Sequence, residues 1–257
     1  MVVDLTRSVT KAARICLSFN STWLRALLQR GVAAGTEHAQ LRKAINPHTV
    51  LDVGANKGQF ALAARCMWPD ATIISFEPLP DMSSTYRKVF SDDHKTHLVD
   101  GAVGPEAGMH VLHVSAAPDS SSLFEIGPDQ TNEFPGTQEI GTLPVNVDRL
   151  SHLLSPFCVV RPTLLKLDVQ GYELEALRAS EEVLPQVDWV YAECSFVSLY
   201  RGQALASQII AWLDSRQFTL TGVYNVVSSK SDQRPIQADC LFSRVPALDS
   251  ESRPGVS

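Results

Sequence analysis

Residues Thr49–Glu77, TVLDVGANKGQFALAARCMWPDATIISFE, decide how the rest of the chain is read. Thr49–Val53 is a short β-branched and aliphatic run closed by Gly54, a strand running into a turn. Gly54-Ala55-Asn56-Lys57-Gly58 sets two glycines where a chain turns tightly and brings bare backbone close to a ligand. Gln59–Met67 carries Phe60, Leu62, Ala63, Ala64 and Met67 at mostly helical spacing, and Pro69-Asp70 ends that helix. Ile73–Phe76 starts a second strand, and Glu77 sits where it meets the next loop. An acid about 20 residues past a glycine turn is placed to accept hydrogen bonds from a ribose diol. The stretch reads as one half of a nucleotide-type βαβ site.

A dinucleotide site wants G-x-G-x-x-G, so that a pyrophosphate lies on the helix N-terminus. This chain has G-x-x-x-G, with Asp52 two residues before the first glycine. An aspartate there repels a pyrophosphate and suits a cation. S-adenosylmethionine carries an ammonium and a sulfonium and no phosphate, so the charge pattern favours it over NAD. The plainer reading is that Asp52 caps the turn and the glycines only shape a loop.

Working outward, the 257 residues are enough for a full core. Hydrophobic residues make up 44% and charged ones 19%, ordinary values for a globular protein. The net charge of −6 argues against a nucleic-acid partner, which leaves a basic footprint. Five scattered cysteines with no CxxC pair suit a reduced, cytoplasmic chain without a zinc site. No apolar run is long enough for a transmembrane helix, and no signal peptide is evident.

Residues 1–45 read as helices, too short for a domain of their own. They are expected to pack on the nucleotide fold or roof its site, with a weak membrane-surface contact as the alternative. The main domain is expected over residues 46–245 and a loose tail over 246–257. After Glu77 come a helix over Asp81–Phe90 and a third strand, His97–Val103, with Asp100 near its end. There Asp100 either meets an adenine amino group or caps a turn. Met109–Ser115 alternates as a strand. Residues 116–142 form an irregular insert rich in Ser, Pro, Gly, Asp and Thr, and holding Ser120-Ser121-Ser122. Loops of that length are usually functional or mobile.

Leu143–Val147 reads as a strand and Asp148–Leu154 as a short helix capped by Asp148. Thr163–Val169 is apolar apart from Lys166 and Asp168, and a charged pair ending a buried strand is costly unless paired or used. Helix Tyr172–Ala179, strand Asp188–Glu193, helix Ala204–Arg216 and the antiparallel pair Phe218–Val227 and Gln237–Arg244 complete the order. The fold class is therefore α/β, a Rossmann-like doubly wound sheet of mostly parallel strands with an antiparallel one at the end. In such sheets ligands bind beyond the carboxyl ends of the strands, where Asp52, Glu77, Asp100, Asp168 and Glu193 all fall.

Together these residues resemble the FkbM family of S-adenosylmethionine-dependent methyltransferases, from about Val50 to Phe242. The matching pieces are Asp52–Gly58, Phe76-Glu77-Pro78, Ala102-Val103-Gly104, Ser120–Ser122, Leu165–Glu175 and Gln237–Phe242. One departure stands out: the family usually has glutamate at Gln170, whose amide hydrogen-bonds but cannot take a proton. The resemblance implies a class I methyltransferase fold of seven strands with the last reversed. It further implies methyl transfer to oxygen in secondary metabolites, polyketides or glycolipid sugars.

It places Asp52, Gly54, Asn56, Gly58, Glu77, Pro78, Asp100 and Ala102 at the cofactor. Ser121, Ser122, Gln170 and Glu173 fall to the acceptor, and Asp168, Glu193 and Lys166 to catalysis. Asp168 is the first choice for proton acceptor and Glu193 the second. A merely loop-holding role for Asp168, paired with Lys166, is the plain alternative. His94, His97, His110, His113 and His152 show no metal spacing, so no metal is expected. Competing readings are a methyltransferase for a small phenolic or carboxylate metabolite, a non-catalytic cofactor binder, and a nicotinamide dehydrogenase. The last lacks the third glycine.

Overall fold

The computed structural model describes residues 21–245. Residues 1–20 and the expected tail lie outside that span. Helix α1 (Ser21–Arg30) leads into a 3-10 turn (Thr36–Gln40) and the single-turn α2 (Leu41–Ala44). Then β1 (Thr49–Val53), α3 (Gln59–Met67), β2 (Thr72–Glu77), α4 (Pro80–Val89) and β3 (Thr96–Asp100) alternate. A side unit follows: β4 (Ala102–Val103), β5 (Gly108–Ser115), α5 (Pro128–Glu133) and β6 (Glu139–Asp148). The chain re-enters through α6 (Leu150–Leu153), β7 (Thr163–Leu167), α7 (Glu173–Ala179) and β8 (Trp189–Ser195). It ends with α8 (Ala206–Asp214), β9 (Phe218–Ser228) and β10 (Pro235–Arg244).

The main sheet has the order β3-β2-β1-β7-β8-β10-β9. Only β10 runs against its neighbours, β8 and β9. This is the seven-stranded class I methyltransferase arrangement, with the last strand reversed and inserted between the two before it. Strand order turns back between β1 and β7, the switch point at which open α/β sheets bind ligands.

Strands β1 and β7 are buried along their whole length because helices cover both sheet faces. Alternation splits the core. Leu51, Val53, Leu165 and Leu167 pack under α7 and α8. Val50 and Leu164 pack on the other side with Phe60, Leu62 and Trp23. On that second side Asp52 and Lys166 stand opposite each other in register, the only charged residues of these two strands.

Residues 21–45 pack directly onto the domain. Trp23 Nε1 donates to the Leu62 carbonyl at 2.9 Å, and Trp68 Nε1 to that of Ile45 at 3.1 Å. Among the described residues no helix is long and apolar enough to cross a membrane.

Three expectations need revision. The strand expected over His97–Val103 breaks at Gly101, and Ala102–Val103 leaves the main sheet to pair with β6. The insert 116–142 is not irregular throughout. It holds α5 and the start of β6, which pairs antiparallel with the full length of β5. Pro128, Gly136, Gly141 and Pro144 interrupt the periodicity that would have announced these elements. At the next helix Arg149, not Asp148, occupies the N-cap; Asp148 Oδ1 accepts instead from Arg149 N and His152 Nδ1.

Candidate active site

The turn after β1 is left-handed at Gly54 (φ +79°), Asn56 (+48°) and Gly58 (+92°). A Cβ on Gly54 would lie 1.9 Å from the Asp168 carbonyl oxygen, so this glycine lets the turns after β1 and β7 touch. A Cβ on Gly58 would meet the rings of Phe90 and Tyr86 at 2.5 and 3.0 Å. Glu77 fastens the turn: Oε2 accepts from Asn56 N at 2.7 Å and Oε1 from Leu79 N at 2.8 Å. Burial pushes the Glu77 carboxyl up to about 7, although those bonds and Lys166 pull the other way.

At the switch point a cleft, open at its mouth, is walled by these turns and by the side unit. Gly54, Asn56, Glu77, Pro78 and Ala102 line it from the first half of the sheet, with apolar Phe76, Leu79, Val103 and Leu112 between them. Lys166, Asp168 and Gln170 line it from the second half, and Ser121 and Ser122 from the insert. Both serine oxygens brace the insert by accepting backbone N–H groups, those of Ser115 and Phe124 respectively.

Asp52, expected at the cofactor, is fully buried behind the cleft instead. Its Oδ1 pairs with Lys166 Nζ at 3.0 Å, and Ser75 Oγ donates to its other oxygen at 3.4 Å. Lys166 also donates to the Gly54 carbonyl at 3.1 Å, so the pair holds the glycine turn from below. Burial opposes the ammonium, but Asp52 and Asp168 outweigh it and push Lys166 up to about 12. Gly58 is absent from the cleft wall because it is used for packing against α4. Asp100 faces solvent from the sheet edge and pairs with Arg87 at 2.7 Å, which outweighs its slight burial and holds its carboxyl low.

Glu173, expected at the acceptor, turns inward. Its Oε1 accepts from Val169 N at 3.1 Å and Gly171 N at 3.2 Å, and burial pushes it up to about 7. Glu193 stands behind Gln170 rather than in the cleft wall. Gln237 Nε2 donates to one of its oxygens and Gln170 Nε2 to the other at 3.3 Å. Burial and the nearby Asp168 push Glu193 well up. Gln170, left-handed at φ +54°, also donates to Asp168 Oδ1 at 2.7 Å, and its own oxygen accepts from Tyr200 Oη at 3.0 Å. Its amide thus donates to two carboxylates, which a glutamate at this position could not do: ionised it has no hydrogen to give, and protonated it has only one. Asp168 Oδ2 lies 3.7 Å from the Lys166 ammonium.

The sequence reading missed Glu37, His38, Gln59, Phe60, Asp119 and Tyr172, which also line the cleft. Glu37 and His38 come from the N-terminal 3-10 turn, which carries no site pattern. The only signal was Gly35, where a Cβ would lie 2.9 Å from the His38 ring.

The profile of the methyltransferase FkbM domain matches residues 52–220. The chain belongs to that family. It is 30% identical over 151 residues to Methyltransferase 1 of Beauveria bassiana, covering 52% of the present chain and 58% of the relative. It thus spans little more than half the length of that relative. It is 24% identical to the 2-O-methyltransferase NoeI of Sinorhizobium fredii, covering 65% and 71% of the two chains. To the hexuronic acid methyltransferase AglP of Haloferax volcanii it is 28% identical, covering 60% and 58%. His38 and Asp239 both lie outside the matched residues.

Proposed function

We propose that this methyltransferase takes its methyl group from S-adenosylmethionine and transfers it to a hydroxyl oxygen of a glycolipid sugar or a polyketide-like metabolite. The observation that carries the cofactor is the charge of the cleft wall. Glu37, Glu77, Asp119 and Asp168 line it together with Lys166, whose ammonium is already paired with Asp52. Such a wall suits a ligand with an ammonium and a sulfonium and disfavours a pyrophosphate. Glu77 would receive the ribose diol on the lone pairs its backbone partners leave open. Phe76, Leu79, Val103 and Leu112 offer an apolar slot to a flat base.

NoeI and AglP, whose names specify 2-O-methylation and a hexuronic acid, support oxygen as the acceptor atom and a sugar as its carrier. When bound, the cofactor supplies an electrophilic methyl carbon. Most of the acceleration comes from holding the two partners in line. Asp168, fixed by Gln170, is placed to orient the acceptor hydroxyl, and Ser121 to contact the rest of the acceptor.

Calorimetric titration with S-adenosylmethionine, S-adenosylhomocysteine and NAD tests the cofactor. Binding of the first two without NAD is expected; binding of NAD alone defeats the reading. Release of S-adenosylhomocysteine is then followed with methyl glycosides of hexoses and hexuronic acids and with hydroxylated macrolactones. Asp168→Asn should keep cofactor affinity and lower turnover by about 10²-fold or more.

A further inference from the structure

A hydroxyl acceptor must lose its proton as its oxygen attacks, and Asp168 already accepts from Gln170 beside the Lys166 ammonium. A second group faces the same cleft in a better arrangement. His38 lines it beside Phe60, Lys166 and Asp168. Its ring stands edge-on to Phe60 and Tyr191, with centroids 5.1 and 5.6 Å apart. Nδ1 lies 3.1 Å from Tyr191 Oη and 3.6 Å from Asp239 Oδ2.

Tyr191 Oη donates its one hydrogen to Asp239 Oδ2 at 2.9 Å, and Asn225 Nδ2 donates to the same oxygen at 2.7 Å. The tyrosine oxygen is then left only as an acceptor toward the ring. In the neutral imidazole Nδ1 therefore carries the hydrogen and Nε2 the lone pair. Nε2 lies 3.9 Å from Glu37 Oε1, another group on the cleft wall. Asp239 on β10, Tyr191 on β8 and the N-terminal turn together hold one nitrogen and leave the other for chemistry, the arrangement a general base needs.

We propose that His38 is the residue that takes the acceptor's proton, with Tyr191 and Asp239 as its positioning residues. The assignment rests on the methyl-transfer reading. The acceptor oxygen forms its bond to the methyl carbon as the carbon–sulfur bond breaks, and that electron pair stays on sulfur, giving S-adenosylhomocysteine. The hydroxyl proton moves to Nε2. The positive charge lost from the sulfonium reappears on the imidazolium, where Asp239 balances it through Tyr191.

The groups facing His38 are Glu37 on its own turn, Lys166 and Asp168 at the end of β7, Tyr191 on β8 and Asp239 on β10. Helix α3 presents uncharged Phe60 and Gln59. Burial, helped by Lys166, holds the imidazole below its usual value against the pull of Asp239, Glu37 and Asp168. The ring is thus in its base form at neutral pH.

The test compares wild type with His38→Gln, by S-adenosylhomocysteine titration and by the pH–rate profile on the glycoside that wild type turns over. The proposal expects affinity within about 3-fold and kcat lower by about 10²–10⁴-fold, with the acidic limb of the profile gone. Unchanged kcat with an unchanged limb overturns it. So does lost cofactor affinity with kcat intact at saturation, which would move His38 to the cofactor's amino-acid end. Nitrogen-15 NMR of wild type is the check that survives a misfolded variant. A hydrogen on Nδ1 and a bare Nε2 at neutral pH support the proposal, and a hydrogen on Nε2 overturns it. If wild type binds no S-adenosylhomocysteine, the methyl-transfer reading fails first and takes the assignment with it.

Discussion

The turns that follow β1 and β7 are built alike and used differently. Both leave the carboxyl ends of adjacent parallel strands through left-handed residues, Gly54, Asn56 and Gly58 in one, Gln170 and Gly171 in the other. Each is fastened by one buried glutamate that accepts two backbone N–H groups, and burial pushes both glutamates up to about 7. Yet Glu77 lies in the cleft wall and Glu173 does not. Glu77 spends one oxygen on each N–H, whereas Glu173 takes both on Oε1. The same local device therefore faces the cleft in one turn and only the backbone in the other. The contact that joins the turns is Gly54 against the Asp168 carbonyl.

Breaking that contact should have the largest effect. Gly54→Ala drives a Cβ into the Asp168 carbonyl at a left-handed position. It is expected to destabilise the protein by about 3 kcal/mol or more in urea unfolding and to abolish cofactor binding. Next comes Glu77→Gln, which keeps only one acceptor oxygen for two N–H groups that use both. Calorimetry should show S-adenosylhomocysteine binding weaker by about 1.5–3 kcal/mol.

The third effect is on pH. Both glutamates have folded values of about 7 against an ordinary 4.5. Between those values the folded chain keeps protons that the unfolded chain has released. Their contribution to stability is therefore full below 4.5, falls as pH rises through about 7, and is level above. Unfolding free energies across that window should decline, by on the order of 3 kcal/mol for each glutamate. Smallest is Glu173→Gln. One amide oxygen replaces Oε1 for both of its partners, so stability at neutral pH should change by less than about 1 kcal/mol. Cofactor affinity should hold, and part of the pH slope should vanish. A loss of affinity there as large as for Glu77→Gln would erase the distinction between the turns.

The βαβ unit over residues 49–77, the reversed last strand and the ring of acids at strand ends were legible in the chain itself. Each is a matter of local periodicity, turn residues and charge. Periodicity states which face of its own strand a residue occupies, and nothing about what stands opposite. Asp52 was thus read as a ligand of the cofactor, while the register of β1 against β7 makes it the buried partner of Lys166. Asp100 was read as meeting the adenine or capping a turn, while the break at Gly101 leaves it outside, on Arg87.

His38 shows the limit most clearly. Apart from Gly35, nothing near it in sequence marks it, because its partners Tyr191 and Asp239 arrive from β8 and β10. Sequence alone determined the fold class, the family resemblance and the ring of acids at the strand ends. Tertiary structure alone decided which of those acids face the cleft and which hold it up. The physical reason is that a buried charge takes its role from its nearest partner, and here that partner comes from a distant segment: the Lys166 ammonium meets the Gly54 carbonyl across 112 residues of chain.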